Sequence, residues 1–197
     1  MRKSVDFFFD VGSPSSYLAW TQLPGLCASH GAELVYRPML LGGVYQATGN
    51  ASPATIPVKG RYTQMDYERH ARRYGVPFQG NPHFPVITLF LMRAVTGIQL
   101  RRPEQLQQLL GCVFKALWID ALNLNDAQLT ARILTEGGFD PAEIERLTQD
   151  PETKAALKAA TQEAVERGVF GAPTLFVGDQ MFFGQDRMDF VREALQS

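Results

Sequence analysis

The sequence predicts an α/β fold: a βαβ unit opens the chain, a ββα unit closes it, and a long all-helical stretch lies between them. Three observations carry that reading. Short apolar runs bounded by turn residues occur at Val5–Phe9, Glu33–Pro38, Thr174–Val177 and Gln180–Phe183, and such runs mark strands. Between Met39 and about Arg167 strand signals almost vanish, and apolar residues recur at helical spacing instead. The segment joining the first two runs is the length of one helix, which makes their connection a parallel, right-handed crossover.

Val5–Phe9 (VDFFF) is aromatic-rich and suits a strand buried on both faces. Asp10–Pro14 then breaks the pattern, with Ser13 at a helix N-cap and Pro14 at N1. A hydroxyl is thereby delivered to the positive end of a helix dipole, at the carboxyl end of a core strand. There it can cap the helix and nothing more, or it can help stabilise an anion. The helix carries Tyr17, Leu18, Leu23, Leu26 and Cys27, is irregular at Pro24-Gly25, and ends near His30-Gly31. Glu33–Pro38 (ELVYRP) is the second strand.

Residues 42–58 are rich in Gly, Ala, Ser, Thr and Pro and read as a loop with a short helix at Gly43–Thr48. Lys59–Tyr74 is a basic helix stopped by Gly75. Pro85–Gly97 is an apolar helix, and Pro103–Leu122 carries Leu106, Leu109, Leu110, Val113, Phe114, Leu117 and Trp118 at i, i+3, i+4 spacing. Asp126–Gly137, Asp140–Leu147 and Thr153–Arg167 continue the helical pattern. Gly178-Asp179 joins the last two strands as a two-residue hairpin, and Arg187–Leu195 is the closing helix, with Asp186 placed to cap it.

The 197 residues hold one domain, or one domain with a sizeable insertion, and a 45% hydrophobic content fills a core without metal or disulfide. A net charge of −1 gives no electrostatic case for nucleic acid or an anionic membrane. No run is long enough to span a bilayer and no apolar leader is evident, so the cytoplasm is the default expectation. Cys27 and Cys112 fall outside any C-x-x-C or metal spacing and read as small buried residues. His30, His70 and His83 have no metal spacing either, and no G-x-S-x-G supports a serine triad.

Gly168–Thr174 (GVFGAPT) places Pro173 at the entry of the third strand, where a lost N–H is tolerated. Plain strand entry explains it; a cis Ala172–Pro173 bond would instead turn the Ala172 backbone outward as a free pair. This plan resembles the thioredoxin fold with a large all-helical insertion domain. Residues 1–41 and 168–197 would form the thioredoxin-like domain and 42–167 the insertion. Four segments in order, DVGSPSSYLA, NASPATIPVKGRY, GVFGAPTLFV and FFGQDRMDF, are similar to segments of the DsbA-like branch of that superfamily.

The C-x-x-C of that branch would fall on Ser13 and Ser16, both serine here, and dithiol exchange needs two protein sulfurs. The chain therefore resembles the serine-containing, glutathione-dependent relatives: bacterial 2-hydroxychromene-2-carboxylate isomerases and kappa-class glutathione transferases. The resemblance implies that Ser13 donates to the glutathione sulfur and favours its thiolate. Ala172 beside Pro173 would pair with the cysteinyl unit as an added strand. Asn50 and Lys59 match a family pair, Lys59 suiting the glycyl carboxylate. Gln185 and Asp186 match a second pair at the γ-glutamyl end, with Arg187 a further contributor. Each has a plainer reading: Asp186 as a cap, Lys59 as a solvated lysine, Asn50 as a turn residue, Ser16 as a satisfied hydroxyl and Tyr17 as a packed ring. Arg61, Arg69, Arg72 and Arg73 read as a solvated basic face, or as the acid-binding end of a substrate pocket. His70 stands where many isomerase relatives carry tryptophan.

The resemblance implies a glutathione-dependent isomerase of an aromatic-derived electrophile, acting as a homodimer. The alternatives are a kappa-like transferase, in which sulfur stays on the product, and a non-catalytic thioredoxin-fold binding or chaperone module.

Overall fold

The structure, a computed structural model, describes residues 3–196; Met1, Arg2 and Ser197, which the expected thioredoxin-like domain includes, lie outside the described residues. Strand β1 (Ser4–Phe9) runs parallel to β2 (Glu33–Pro38) in the register Phe7↔Tyr36, with α1 (Pro14–Ser29) as the crossover. Strands β3 (Thr174–Val177) and β4 (Gln180–Phe183) add antiparallel, giving the order β2-β1-β3-β4. Gly178, at a φ of 59°, makes the tight hairpin turn between the last two.

The phenylalanine run in β1 explains its central place. Val5, Phe7 and Phe9 face a large core with α1, while Phe8 points the other way into a smaller cluster with Met39, Val44, Ala164, Val169 and Phe176. All four of the β1 side chains are fully buried. Full burial of one such side chain contributes about 1.5–3 kcal/mol.

The helices between β2 and β3 are α2 (Leu41–Thr48), α3 (Pro57–Tyr74), α4 (Leu89–Arg101), α5 (Leu106–Trp118), α6 (Ala127–Glu136), α7 (Pro141–Gln149) and α8 (Pro151–Glu166); α9 (Met188–Gln196) closes the chain. Leu91, Val95 and Ile98 of α4 and Leu109, Leu110, Val113, Phe114 and Leu117 of α5 join the same core as β1 and α1. Asp126, Asp140 and Asp150 cap α6, α7 and α8 with side-chain acceptors.

Helices α2, α3 and α8 begin two residues earlier than the sequence expectation, and three elements depart from it further. The helix expected over Pro85–Gly97 starts at Leu89, because Ile87 gives its N–H to Asn125 Oδ1 and Thr88 turns its hydroxyl to Asp10. It continues past Gly97, whose missing side chain serves close packing: a Cβ there would lie 3.1 Å from Leu147. The helix expected over Pro103–Leu122 is a 3-10 turn at Pro103–Gln105 followed by α5, which ends at Trp118. Ile119 and Asp120 both return their N–H to the Lys115 carbonyl, and Ala121 takes a φ of 53°. Asp186 does not cap the last helix: the Arg187 carbonyl accepts the first helical N–H, from Val191.

Candidate active site

The β1–α1 turn is tied down by hydrogen bonds from several elements. Asp10 is 1% exposed, and its carboxylate accepts from Gly12 N–H (2.9 Å), Leu41 N–H (2.9 Å) and Thr88 Oγ1 (3.0 Å). Its carbonyl accepts from Ser13 N–H at 3.0 Å. Burial pushes the Asp10 carboxyl up against the lowering effect of those donors. Val11 donates its N–H to Met92 Sδ at 3.3 Å and accepts at its carbonyl from the Trp118 indole at 2.8 Å. The helices beyond β2 thus set where the turn lies.

Ser13 caps α1 as expected: its Oγ accepts from Ser16 N–H at 3.1 Å. It also donates to the Ala172 carbonyl at 3.1 Å. The Ala172–Pro173 bond is cis. The expected free backbone pair at Ala172 is therefore half correct: the carbonyl is taken by Ser13, while the N–H has no acceptor among the described residues. In the first turn of α1, Pro14 has no N–H, and Ser16 and Tyr17 direct theirs to Ser13. Ser15 N–H is left without an acceptor among the described residues. Ser13, 5% exposed, can turn its proton from a carbonyl toward an anion at this helix end.

The other expected residues divide into two groups. Ser13 bonds Ala172, the residue before Pro173, and Pro173 is joined to the Gln185 side by Gly184 N–H on its carbonyl at 3.0 Å. Asn50 reaches this group through its amide, which donates to the Phe170 carbonyl at 2.7 Å and accepts from Ala51 N–H at 2.8 Å. Gln185 is buried, its side chain on Ser15 Oγ and its carbonyl accepting from Tyr74 at 2.7 Å. Lys59 is exposed, without an ion pair among the described residues, beside an apolar hollow of about 370 Å³ with Pro53, Val58, Tyr62 and Thr63. Asp186 and Arg187 are paired with each other at 2.6 Å. Asp186 lines a separate polar cleft of about 580 Å³ with Thr21, Gln22, His70, Arg73 and Tyr74.

Among the residues given plain roles, Tyr17 is a packed ring whose hydroxyl donates to the Pro77 carbonyl at 2.6 Å. Ser16 departs from expectation: its hydroxyl is buried without a hydrogen-bond partner among the described residues rather than satisfied. Cys27 is buried and its thiol is pushed up to about 11 by desolvation; Cys112 is half-buried with Sγ on the Ile133 carbonyl. Arg61, Arg69, Arg72 and Arg73 are exposed, and His83 is exposed too. Asp10 and Thr88 went unnoticed in the sequence, although a carboxylate inside an apolar strand end is itself a signal, because charges are seldom fully buried without partners.

A thioredoxin-type sheet with a cis-proline loop facing a helix N-terminus, and serine at both sulfur positions, defines a DsbA-like domain without a dithiol. Residues 4–196 match the DSBA-like thioredoxin domain family. The chain is 31% identical over 197 residues to the 2-hydroxychromene-2-carboxylate isomerase of Sphingobium xenophagum, covering 99% of each. It is 28% identical over 200 residues to glutathione S-transferase kappa 1 of Rattus norvegicus, covering 95% of this chain and 88% of that one. A solved 2-hydroxychromene-2-carboxylate isomerase structure superposes with a TM-score of 0.83 at 29% identity, covering 98% of this chain and 94% of the other. The chain belongs to the DsbA-like thioredoxin family, in the branch of 2-hydroxychromene-2-carboxylate isomerases and kappa-class glutathione transferases.

Proposed function

We propose that the protein is a glutathione-dependent isomerase of the 2-hydroxychromene-2-carboxylate isomerase type. The observation that carries this reading is the Ser13 hydroxyl, held at the N-terminus of α1 against the backbone beside cis-Pro173, with serine rather than cysteine at both 13 and 16. The donor set fits a thiol tripeptide. Ser13 Oγ and Ser15 N–H suit an ionised sulfur, Ala172 N–H suits the extended cysteinyl backbone, and Lys59 suits a terminal carboxylate. Asn50 would act by fixing the Phe170 carbonyl and the loop behind Ala172, since its own amide is already engaged. Gln185 would contribute main chain only; Asp186 and Arg187 would have to part before either meets the γ-glutamyl end.

Bound glutathione would supply a thiolate that adds reversibly to an electrophilic carbon of an aromatic-derived substrate and leaves after a bond has rotated. Ser13 would hold its proton toward that sulfur, and the α1 dipole would favour the ionised form; each pKa unit of lowering is worth about 1.4 kcal/mol. The turn from Asp10 to Ser13 would keep the hydroxyl in place, because positioning to a fraction of an ångström is what such a site contributes.

Glutathione titration, followed by the ultraviolet absorption of the thiolate, tests the reading: the signal should saturate in the protein and fall away in Ser13→Ala while binding is kept. Unaltered turnover in that variant removes Ser13 from the mechanism. The kappa-class relatives support a second reading, a transferase, which release of a stable glutathione conjugate would single out. A cytoplasmic homodimer completes the proposal. The exposed apolar side chains Val58, Tyr62 and Met65 along one face of α3 support a second copy, and sedimentation equilibrium would read it.

A further inference from the structure

We propose that Tyr45 and Tyr67 are a pair of catalytic hydrogen-bond donors that hold the substrate oxygen on which negative charge gathers when sulfur attacks. The identity of the attacking atom rests on the function proposed above; the donors rest on separate observations. Tyr45 stands on α2 one turn beyond Leu41, whose N–H is fixed on Asp10 Oδ2 at 2.9 Å, so the Ser13 turn and the Tyr45 ring are registered by one bond. Tyr67 stands on α3, which packs against α1. Its ring meets Phe78 edge-on at 6.2 Å, and Phe78 stacks at 6.4 Å on Tyr17, in the first turn behind Ser13. The two phenols stand on two different helices, one tied to the turn through the Leu41–Asp10 bond and the other through the Phe78 and Tyr17 rings, and Tyr67 feels the charge of Tyr45 as Tyr45 feels that of Asp10.

Their hydroxyls differ from those of Tyr17 and Tyr74, which donate to the Pro77 and Gln185 carbonyls. Tyr45 and Tyr67 are half-buried, have no hydrogen-bond partner among the described residues, and are not sealed from solvent. A phenol hydroxyl that no described residue takes and that solvent reaches is available to a ligand oxygen, and these two stand on helices tied to the turn that presents Ser13. Desolvation pushes Tyr67 up to about 12 and Tyr45 upward as well, so both remain protonated and act as donors rather than bases.

As the carbon–sulfur bond forms, the adjacent carbon–carbon π pair shifts toward the conjugated carbonyl oxygen, where two O–H donors meet the charge without giving up a proton. When that bond breaks, sulfur keeps its pair and the π bond re-forms after rotation.

The test uses trans-benzylidenepyruvate, an aromatic enone 2-oxo acid, titrated into the glutathione-free protein; donation to its ketone moves its absorption to longer wavelength. The shift should be clear in the unaltered protein, smaller in Tyr45→Phe and Tyr67→Phe, and absent in the double variant. Turnover with glutathione should fall about 100-fold per lost donor, with the thiolate signal unaffected. A full shift and full turnover in both Phe variants, or no shift in the unaltered protein, overturns the proposal. Failure of the glutathione reading looks different: no thiolate signal in any protein, with the enone shift intact.

Discussion

Ser13 holds two roles with one oxygen, accepting from Ser16 N–H and donating to Ala172, and substitutions can separate them. Ser13→Gly should cost a few tenths of a kcal/mol and Ser13→Ala about 1 kcal/mol, since glycine is a tolerable N-cap and alanine is not. Both should lose activity equally, which urea unfolding and turnover measured side by side would reveal. Asp10 offers a test by pH. Its folded value is raised from the ordinary 3.8 by burial, so its contribution to stability is full below that value and is lost as pH rises through the raised one. The stability advantage of the protein over Asp10→Asn should therefore narrow from acid to neutral pH; a widening gap contradicts the assignment. Cys27, pushed up to about 11, should resist alkylation in the native protein at neutral pH and react only on unfolding, as mass spectrometry would record. At this scale the sequence revealed residues that announce themselves locally: Ser13 by its place before proline, Pro173 by its place before a strand. Asp10 escaped because the partners that explain it, Leu41 and Thr88, lie 31 and 78 residues away.

The β1–α1 turn is the element on which the site depends, and Gly12 is its tightest point. A Cβ at Gly12 would sit 2.6 Å from Thr88 Cγ2. Gly12→Ala should cost about 1–3 kcal/mol through overpacking and should displace Ser13 enough to lower turnover. Thr88→Ser removes the offending methyl while keeping the hydroxyl that reaches Asp10, so the double variant should recover part of both losses; thermal unfolding and kinetics of the four proteins measure that coupling. Helix existence was readable from apolar spacing, and helix boundaries were not. Pro85 has the look of a helix start, yet residues 85–88 serve the turn instead, through Thr88 on Asp10 and Ile87 on Asn125. No local pattern encodes bonds of that kind.

Across the whole molecule the sheet and the inserted helices share a single large core, in which Phe7 and Phe9 of β1 join Phe114 and Leu117 of α5. The order of elements gave away the fold, because strand–helix–strand and hairpin–helix units at the two ends leave few ways to build one sheet. The shared core, which no linear reading could supply, predicts that sheet and helices unfold together. Near- and far-ultraviolet circular dichroism should trace one coincident transition, and Phe114→Ala should lower its midpoint by the equivalent of about 3–5 kcal/mol without splitting it.

The bond between Ser13 Oγ and the Ala172 carbonyl has a consequence for which thiols the protein would admit. A newcomer does not find an idle hydroxyl; it must win one from an amide oxygen already in place. Uncharged sulfur is a weak rival for that proton, and ionised sulfur a strong one. The serine would thus work as a filter for charge: acidic thiols pass, and a capped thioether such as S-methylglutathione could dock yet leave the Ser13–Ala172 contact undisturbed.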